Sequence, residues 1–421
     1  MRFLKESDYW DEQRIADYQL EQLRMILKHC RKNIPYYQEL FSTYGFNPDN
    51  LQSLQDLNVL PYLQRETVRD RLGHFADMSM KGQLLVKSTS GSTGIPLTVH
   101  MSRESSDIYH AFLFHSFNRI HYNPRYRMVK FWNMLSLHNR RDLPFMKIGN
   151  KLILSKRYLS DDWLMRYAEM IRRFSPLFIT GCPSTLSILS ACMKKNNMSL
   201  TKKLKAVIVH GETAHDWQRN LIEEVFATRV FSVYSMTEGA LFSSECEFSP
   251  SQHIYPQSGI AEFADCGNGQ KEIIATGLTN PAMPFIRYRT SDLAAIGNDS
   301  CARCGRRHQL IDKIEGRIND FLINKDGRII PRLLPWIEVF PNTRQCQFFQ
   351  EVAGKAVLRI VRSGSYAEAD TLNIKAKLAE MLGPMNSTID IEIEFVDSIP
   401  RSPTGKLNLV EQRLEMRKFL A

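Results

Sequence analysis

The chain has 421 residues, of which 43% are hydrophobic and 24% charged; this composition is typical of folded globular proteins and argues against disorder. The length exceeds that of one ordinary core and favours two unequal domains. Lys and Arg outnumber Asp and Glu by 55 to 45, without a long basic run that carries interleaved aromatics, so nucleic-acid binding is disfavoured and anionic ligands such as nucleotide phosphates fit.

Features of membrane and secreted proteins are missing from the sequence. No apolar stretch reaches the roughly 18–20 residues that a membrane span needs, and Glu6 and Asp8 stand where a signal peptide would be apolar. The eight cysteines do not form a disulfide scaffold in a chain this long. We expect a cytoplasmic protein, and we leave open its oligomeric state and a peripheral contact with anionic membranes.

The first two thirds of the chain alternate between helical and extended patterns. Helices are expected over 10–45, where Leu20, Leu23, Ile26 and Leu27 lie at helical spacing, and helix mixed with loop is expected over 60–80. The further predicted elements are strands at 84–87, 177–180, 206–209 and 230–234 and helices at 162–174, 183–193 and 215–226. Strands that alternate with helices indicate a parallel sheet covered by helices.

The pattern changes beyond Glu272, where the predicted strands shorten and turns become frequent, so a β-rich subdomain is expected. A second domain should begin near Gly316, with strands at 356–361 and 389–396 and a helix at 371–382. The fold is therefore predicted to be α/β: a large N-terminal domain of helix-covered sheets with a β-rich subdomain, residues 1–316, and a small α+β C-terminal domain, residues 317–421.

The segment 88–94, Ser-Thr-Ser-Gly-Ser-Thr-Gly, follows a predicted strand and combines two glycines with five hydroxyl residues. Glycines let backbone N–H groups approach an anion, and hydroxyls add hydrogen bonds, so a phosphate fits this loop. It lacks the spacing and the Lys-Ser/Thr of the Walker pattern. A flexible surface loop is the alternative.

Two further motifs place polar residues at predicted strand ends. The segment 234–238, Tyr-Ser-Met-Thr-Glu, follows a buried strand, and ligands of open α/β sheets bind at such carboxyl ends. Its Thr suits a phosphate and its Glu suits Mg²⁺. The segment 284–292, Pro-Phe-Ile-Arg-Tyr-Arg-Thr-Ser-Asp, ends in a carboxylate able to accept both ribose hydroxyls. The alternatives are a turn with a solvated Glu and a surface ion-pair cluster.

The last two motifs lie near the second domain. They are Gly-Arg-Ile-Asn-Asp-Phe at 316–321 and Pro-Arg-Ser-Pro-Thr-Gly-Lys at 400–406. A lysine on a loop with glycine can reach a distant site, where its ammonium stabilises charge between a carboxylate and a phosphate. The alternative for Lys406 is a solvated tail lysine.

In this order and spacing the five motifs resemble those of the adenylate-forming superfamily, which contains acyl-CoA synthetases, peptide-synthetase adenylation domains and luciferases. The short chain and its cysteines are most similar to the phenylacetate–CoA ligase branch, including its capsule-biosynthesis relatives. The resemblance spans about residues 84 to 410. It implies a C-terminal domain that is mobile and rotates between adenylation and acyl transfer.

The resemblance also implies a role for each motif residue. Phosphates of ATP would be held by Ser90, Gly91, Ser92, Thr93, Gly94 and Thr237. Adenine and ribose would be contacted by His210, Gly211, Glu212, Tyr234, Ser235, Met236 and Asp292, and Arg317 would contact ribose or phosphate. Glu238 would bind Mg²⁺, and Lys406 would serve as the adenylation lysine. The segment 181–185 and the helix after it would line the acid pocket.

The sequence departs from the pattern of the resembled family at several positions. Ser235 replaces the usual Gly, Ile95 with Pro96 replaces the usual Lys after the phosphate loop, and Asn319 occupies the hinge position. A different segment, 131–138, stands in for the usual aromatic and Gly-rich one. None of these changes removes a core charge, but the hinge and middle segment bear on the CoA step and the acid pocket.

The pair Cys301 and Cys304 forms a Cys-x₂-Cys turn, and Cys246 and His253 lie upstream of it. This turn suits tetrahedral zinc, which needs two more ligands. Some ligases that the chain resembles carry a structural zinc with this Cys, His, Cys, Cys pattern, so the same site is expected here. The alternative is a pair of free thiols on a turn.

The resemblance predicts an ATP- and Mg²⁺-dependent ligase that forms an acyl-adenylate with release of pyrophosphate. The second substrate would be CoA, as in phenylacetate–CoA ligases. An amide ligase acting on an amine, such as an amino acid, in surface or capsular polysaccharide biosynthesis is the alternative. A non-catalytic nucleotide-binding relative is a remote third, which the presence of Glu238 and Lys406 argues against. The acid is left open among aryl, other small and sugar carboxylates.

Overall fold

The computed structural model describes residues 1–89, 97–132, 143–156, 158–266, 271–297, 300–317, 320–330, 340, 342–400 and 408–419. The described helices are α1 Arg2–Ser7, α2 Glu12–Asn33, α3 Pro35–Thr43, α4 Arg65–Asp70, α5 Leu72–Phe75, α6 Arg103–Asn118, α7 Asp161–Phe174, α8 Pro183–Lys195, α9 Asp216–Phe226 and α10 Glu368–Leu382. Short 3-10 helices cover Pro48–Asn50, Leu54–Val59, Met78–Gln83, Gly383–Thr388 and Met416–Phe419. No described helix combines the length and the apolar character that crossing a membrane demands.

Most of the described strands belong to the large N-terminal region. They are β1 Leu84–Ser88, β2 Thr98–Ser102, β3 Met128–Trp132, β4 Phe145–Ile148, β5 Lys151–Ser155, β6 Phe178–Gly181, β7 Ala206–His210, β8 Val230–Ser235, β9 Phe242–Ser244, β10 Gln252–Ile254, β11 Gly259–Asp265, β12 Lys271–Gly277, β13 Tyr288–Ile296 and β14 Leu310–Arg317. The C-terminal strands are β15 Leu322–Ile323, β16 Ile329–Ile330, β17 Thr343–Val352, β18 Lys355–Arg362, β19 Asp390–Phe395 and β20 Val410–Gln412.

One sheet of twelve described strands runs through the large region in the order β11-β12-β13-β14-β10-β9-β8-β7-β6-β3-β5-β4. Strands β5, β3, β6, β7 and β8 are parallel, whereas β9 to β14 pair antiparallel. The predicted α/β class is therefore confirmed. The carboxyl ends of the five parallel strands share one edge, where ligands of such sheets bind.

Helices cover the sheet where its strands are apolar. The parallel half packs one face against α7, α8 and α9 and the other against α1 and α6. Helices α2 and α3 pack against the antiparallel half. Strands buried on both faces read as continuous apolar runs, and this is why 206–209 and 230–234 were predicted correctly from the sequence.

Two expectations about the β-rich region were wrong. The strands beyond Glu272 lengthen rather than shorten, since β13 has 9 residues and β14 has 8. The antiparallel half also begins earlier, at β9, because β9 and β10 carry buried polar residues such as Ser244 and His253 that interrupt any apolar run.

The C-terminal residues form a separate small sheet in the order β19-β18-β17-β20. It shares a core with α10, which contributes Ile374 and Leu378. A second small cluster joins Cys266 and Leu293 of the large region to Phe321, Ile323 and Met416. These contacts form just beyond β14, the last strand of the large sheet.

Candidate active site and metal centre

Tyr234, at the carboxyl end of β8, lies in a hydrogen-bonded group with residues from two antiparallel strands. Its hydroxyl donates to Asp292 Oδ2 at 2.7 Å, and Arg317 Nε donates to Asp292 Oδ1 at 3.3 Å. Burial, followed by the Asp292 carboxylate, raises the pKa of Tyr234 well above its usual range. The tyrosine therefore stays protonated and holds the carboxylate in place.

Asp292 lies inside β13 and not at a strand end as the sequence predicted. The preceding Ser291 has φ 63°, a left-handed conformation that is costly for a residue with a Cβ. Its N–H donates to Glu272 Oε1 at 3.0 Å, and the N–H of Asp292 donates to Thr290 Oγ1 at 3.0 Å. These bonds hold the turned backbone so that a mid-strand carboxylate reaches the site.

Arg317, the last residue of β14, carries the cation of this group. Burial opposes its charged form, but the nearby Asp292 carboxylate raises the pKa of Arg317 above its ordinary value. The preceding Gly316 has φ 132°, which favours glycine. The chain thus leaves the large sheet at a flexible residue next to a charged one.

Glu238 lies in the turn that follows β8 and is buried, with 7% of its surface exposed. Its Oε1 accepts a hydrogen bond from the Tyr288 hydroxyl at 3.2 Å and lies 3.6 Å from Arg65 Nη1. Gly239, with φ 69°, provides the turn. A buried carboxylate oxygen is a hard ligand that suits Mg²⁺.

The stem of the glycine- and hydroxyl-rich loop is described, whereas Ser90, Gly91, Ser92, Thr93 and Gly94 lie outside the described residues, as does Lys406. Two hydrogen bonds of 3.0 Å close the stem: the Thr89 N–H donates to the Leu97 carbonyl, and the Leu97 N–H donates to Thr89 Oγ1. Arg65 also donates to Thr89 Oγ1 at 2.6 Å. Arg65 therefore connects the loop stem to Glu238.

The predicted adenine segment follows β7. Gly211 adopts φ 79°, and His210 lies beside Trp132, with ring centroids 6.5 Å apart. The side chain of Glu212 points toward α8, because its Oε2 accepts from the Ser184 N–H at 3.1 Å. Glu212 thus caps a helix of the expected acid pocket.

Other residues at the same edge were missed by the sequence reasoning. The Tyr109 hydroxyl lies 3.3 Å from Ser235 Oγ, with Lys87 Nζ 5.6 Å from the Tyr109 ring centroid. Lys156 Nζ lies 3.7 Å from Cys182 Sγ, where β6 gives way to α8. Lys87 directly precedes the loop motif, so its position in the sequence could have identified it as a site residue. No neighbouring motif marks Tyr109 or Lys156.

Cys246, His253, Cys301 and Cys304 meet at one place, with their ligand atoms within 4.8 Å of one another. His253 Nε2 lies 3.3 Å from Cys304 Sγ, while His253 Nδ1 faces the Ser251 carbonyl at 3.1 Å. That arrangement fixes the ring so that Nε2 is presented to a metal. Three sulfurs and one imidazole are the donor set of a structural zinc site.

A buried charge cluster ties the N-terminus to this cysteine group. Asp8 pairs with Arg306 at 2.6 Å and with Arg119 at 3.0 Å, and His115 Nε2 lies 3.9 Å from it. Burial works against the Asp8 carboxylate, but Arg119 and its neighbours lower the pKa of Asp8. The segment after α1 is thereby fixed beside the Cys-x₂-Cys turn.

His115 should make stability depend on pH. Burial lowers its pKa from 6.5 to about 4, so the folded protein keeps the ring neutral while the unfolded chain binds a proton below pH 6.5. Its stabilisation is full above pH 6.5 and is lost as pH falls toward 4, on the order of 3 kcal/mol. His115→Gln should flatten this fall in urea denaturation series, whereas exposed His74→Gln should not. An identical pH dependence in wild type and His115→Gln would contradict the prediction.

Comparisons with known proteins place this geometry among known folds. A family model described as the CapK C-terminal domain matches residues 322–413. Protein CapK of Staphylococcus aureus is 23% identical over 406 residues, covering 93% of this chain and 88% of the relative. Phenylacetate-coenzyme A ligase of Thermus thermophilus is 24% identical, covering 99% of this chain and 100% of the relative. A crystal structure of 2-hydroxyisobutyryl-CoA ligase in the postadenylation state superposes with TM-score 0.74 at 17% identity, over 98% of this chain and 92% of that one.

Proposed function

The chain belongs to the adenylate-forming superfamily of ATP-dependent ligases, and on this premise we propose that it activates a carboxylic acid as its acyl-adenylate and transfers the acyl group to an acceptor. In the first step a carboxylate oxygen attacks the α-phosphorus of ATP, and the bond to pyrophosphate breaks. In the second step the acceptor attacks the acyl carbon and AMP leaves. The acceptor we favour is CoA.

The observation that carries the proposal is the convergence of Tyr234, Asp292 and Arg317 at the carboxyl end of β8. Each oxygen of Asp292 already accepts one hydrogen bond and has a lone pair left for a hydroxyl of ribose. The half-buried Tyr234 ring offers a face for adenine, and Arg317 neutralises the carboxylate. These groups would hold a nucleoside, and Arg65 connects the turn after β8 to Thr89, the stem of the proposed phosphate loop.

Phosphate binding is proposed for Ser90, Gly91, Ser92, Thr93, Gly94 and Thr237. Mg²⁺ is proposed on Glu238, whose buried carboxylate fits a hard cation; the ion would neutralise phosphate charge as pyrophosphate leaves. Arg65 lies 3.6 Å from the same carboxylate and donates to the loop stem. We propose that Arg65 fixes the position of Glu238 relative to the stem of the loop.

The division into residues 1–316 and 317–421 is part of the proposal. It is supported by Gly316 at the end of the large sheet and by the separate core of the small sheet. Lys406 of the small domain would bring its ammonium between the carboxylate and the α-phosphate during the first step. Rotation about the 316–317 junction would then expose the adenylate to the acceptor.

An amide ligase is the second candidate, and the matching CapK C-terminal domain favours it. After rotation that domain would face the acceptor, so the family to which it is similar would influence which nucleophile is accepted. The acceptor would then be an amine, such as that of an amino acid, in surface or capsular polysaccharide biosynthesis. A cytoplasmic setting, where ATP is available, is part of either candidate, and eight cysteines without a disulfide among them suit a reducing compartment.

The first step is tested by measuring pyrophosphate released from ATP and Mg²⁺ against a panel of aryl, fatty, amino and uronic acids. Hydroxylamine is added because it captures any adenylate as a hydroxamate, whatever the natural acceptor. The expected result is ATP-dependent hydroxamate with at least one acid class. CoA and amines offered in turn to that acid separate the two candidates, and no product with any acid would contradict the proposal.

Zinc on Cys246, His253, Cys301 and Cys304 is proposed as a structural ion. The ligands come from the strands after Glu238 and from the turn before β14, so the ion would tie these segments together away from the nucleotide. The close approach of their donor atoms supports this, since tetrahedral zinc holds sulfur at about 2.3 Å and nitrogen at about 2.0 Å.

Cys304→Ser should reduce bound zinc from about one ion per chain to near zero and lower the melting temperature by several degrees, because metal binding contributes folding free energy. Cys192→Ser, which changes a half-buried free thiol on α8, is the control and should keep the zinc. Zinc is counted by mass spectrometry of metals in the purified proteins. Equal metal content in both variants and wild type would discard the site.

A further inference from the structure

Among the residues that the structure describes, two buried oxygen atoms close to the start of α8 have no hydrogen-bond partner. They are Ser184 Oγ and Glu212 Oε1, and they belong to residues that touch, since the Ser184 N–H donates to Glu212 Oε2. Leaving a buried polar atom unpaired is unfavourable, so such atoms call for a ligand or a structural reason. Their position at the carboxyl edge of the sheet favours a ligand.

Lys156 adds a donor at the same place. It follows β5 directly, and its ammonium reaches across β3 to within 3.7 Å of Cys182 Sγ, the residue that caps α8. No described carboxylate forms an ion pair with it. Three polar groups therefore lie near the first turn of α8. The Lys156 ammonium only donates hydrogen bonds, the Ser184 hydroxyl both donates and accepts them, and the Glu212 carboxylate only accepts them.

The distance from the nucleotide residues sets the size of what binds there. Neighbouring strands lie about 4.8 Å apart, so the carboxyl end of β7, which precedes Glu212, lies about 5 Å from that of β8, and the carboxyl end of β6, which precedes Cys182, lies about 10 Å from it. An acid whose carboxylate lies beside Ser235 would place its far end over the start of α8. A pyranose ring fills this span.

We propose that the acid activated here is polyhydroxylated, of the sugar-acid class, and that Lys156, Ser184 and Glu212 bind its hydroxyl groups. This inference rests on the proposed adenylation activity. A hydroxyl can donate to Glu212 and accept from Lys156, so it satisfies both. A second carboxylate would face the negative charge of Glu212, and an aryl ring would leave all these polar groups unpaired.

The test compares acids that share a ring or chain but differ in hydroxyl groups. Glucuronate, galacturonate and gluconate are offered beside cyclohexanecarboxylate and phenylacetate, with hydroxamate formation as the readout. A site built to hydrogen-bond hydroxyls rejects analogues without them strongly, so kcat/KM for the best hydroxylated acid should exceed that for the others by about 100-fold or more.

Variants assign the preference to the three side chains. Ser184→Ala and Lys156→Met should each lower kcat/KM for the hydroxylated acid by about 10- to 100-fold and leave that for the apolar acids equal or higher. Ser190→Ala is the matched control: it removes another buried, unpaired hydroxyl of α8, about 9 Å further along the helix, and should change neither value.

The outcomes separate this inference from the proposed function. Turnover of apolar acids at rates equal to or above those of hydroxylated acids overturns the sugar-acid inference alone. The same holds if Ser184→Ala and Lys156→Met affect both classes of acid equally. If none of the acids tested yields a hydroxamate, the proposed adenylation activity is overturned, and the sugar-acid inference is overturned with it.

Discussion

Lys406→Ala is expected to lower the rate of acyl-adenylate formation by about 100- to 1000-fold, the usual cost of removing one preorganised group that stabilises charge in a transition state. The ammonium is expected between the attacking carboxylate and the α-phosphate, where negative charge accumulates. The melting temperature should stay unchanged, because a lysine side chain seldom contributes to a hydrophobic core. The measurement is acid-dependent pyrophosphate release at saturating ATP.

Lys418→Ala is the control for this prediction. Lys418 is exposed and pairs with Glu415 at 2.8 Å in the same C-terminal region, and exposed ion pairs contribute little. Transfer from a preformed, purified adenylate should proceed in Lys406→Ala, because the proposed role of the lysine is confined to the first step. Unchanged pyrophosphate release in Lys406→Ala would remove the lysine from the mechanism.

Asp292→Asn should raise KM for ATP by about 10- to 100-fold, because hydrogen bonds to a charged acceptor are worth about 1.5–3 kcal/mol. The change also removes the negative charge that faces Arg317 and replaces one of the two oxygens that accept from Tyr234 and Arg317 with an amide group that only donates. The loss of stability should be modest, since 41% of the Arg317 side chain is exposed and water screens its charge. Initial rates over a range of ATP concentrations give KM and kcat separately.

Asp265→Asn provides the matched comparison on the same sheet. Asp265 is exposed on β11 and pairs with Lys271 at 2.9 Å, so its replacement should leave KM for ATP unchanged. If folded Asp292→Asn binds ATP as tightly as wild type, the carboxylate does not hold the ribose, and the assignment of the nucleotide site to β8 and β13 would need another anchor.

Local patterns were enough to identify the parallel half of the sheet. The strands at 206–209 and 230–234 are buried on both faces and are therefore written as unbroken apolar runs, and α7 and α9 separate hydrophobic from charged faces. The same reasoning failed for β9 and β10. Buried polar residues such as Ser244 and His253 interrupt their apolar positions, and His253 lies 3.3 Å from Cys304, far away in the sequence, so no continuous apolar run marks these two strands.

The motifs of the proposed site could likewise be recognised in the sequence, because each one is short and continuous. Residues 234–238 and the Cys-x₂-Cys turn carry their chemistry within a few positions. Arg65 and Lys156 carry none, and they enter the site through contacts with residues far away in sequence, such as Arg65 with Glu238. Asp292 was identified from its motif, but its side chain reaches the site from within a strand because Ser291 adopts a left-handed conformation. No residue pattern predicts that conformation.

The amino-acid sequence by itself determined the α/β class, because the periodicity of apolar residues is a local property of the chain, whereas the resemblance to a known superfamily supplied the proposed nucleotide motifs and zinc ligands. Only the tertiary structure decided which polar groups share one edge of the sheet and which of them lack partners. Ser184, Glu212 and Lys156 come from three separate segments, and their joint preference for a hydroxylated acid exists only after β5, β6 and β7 align in parallel.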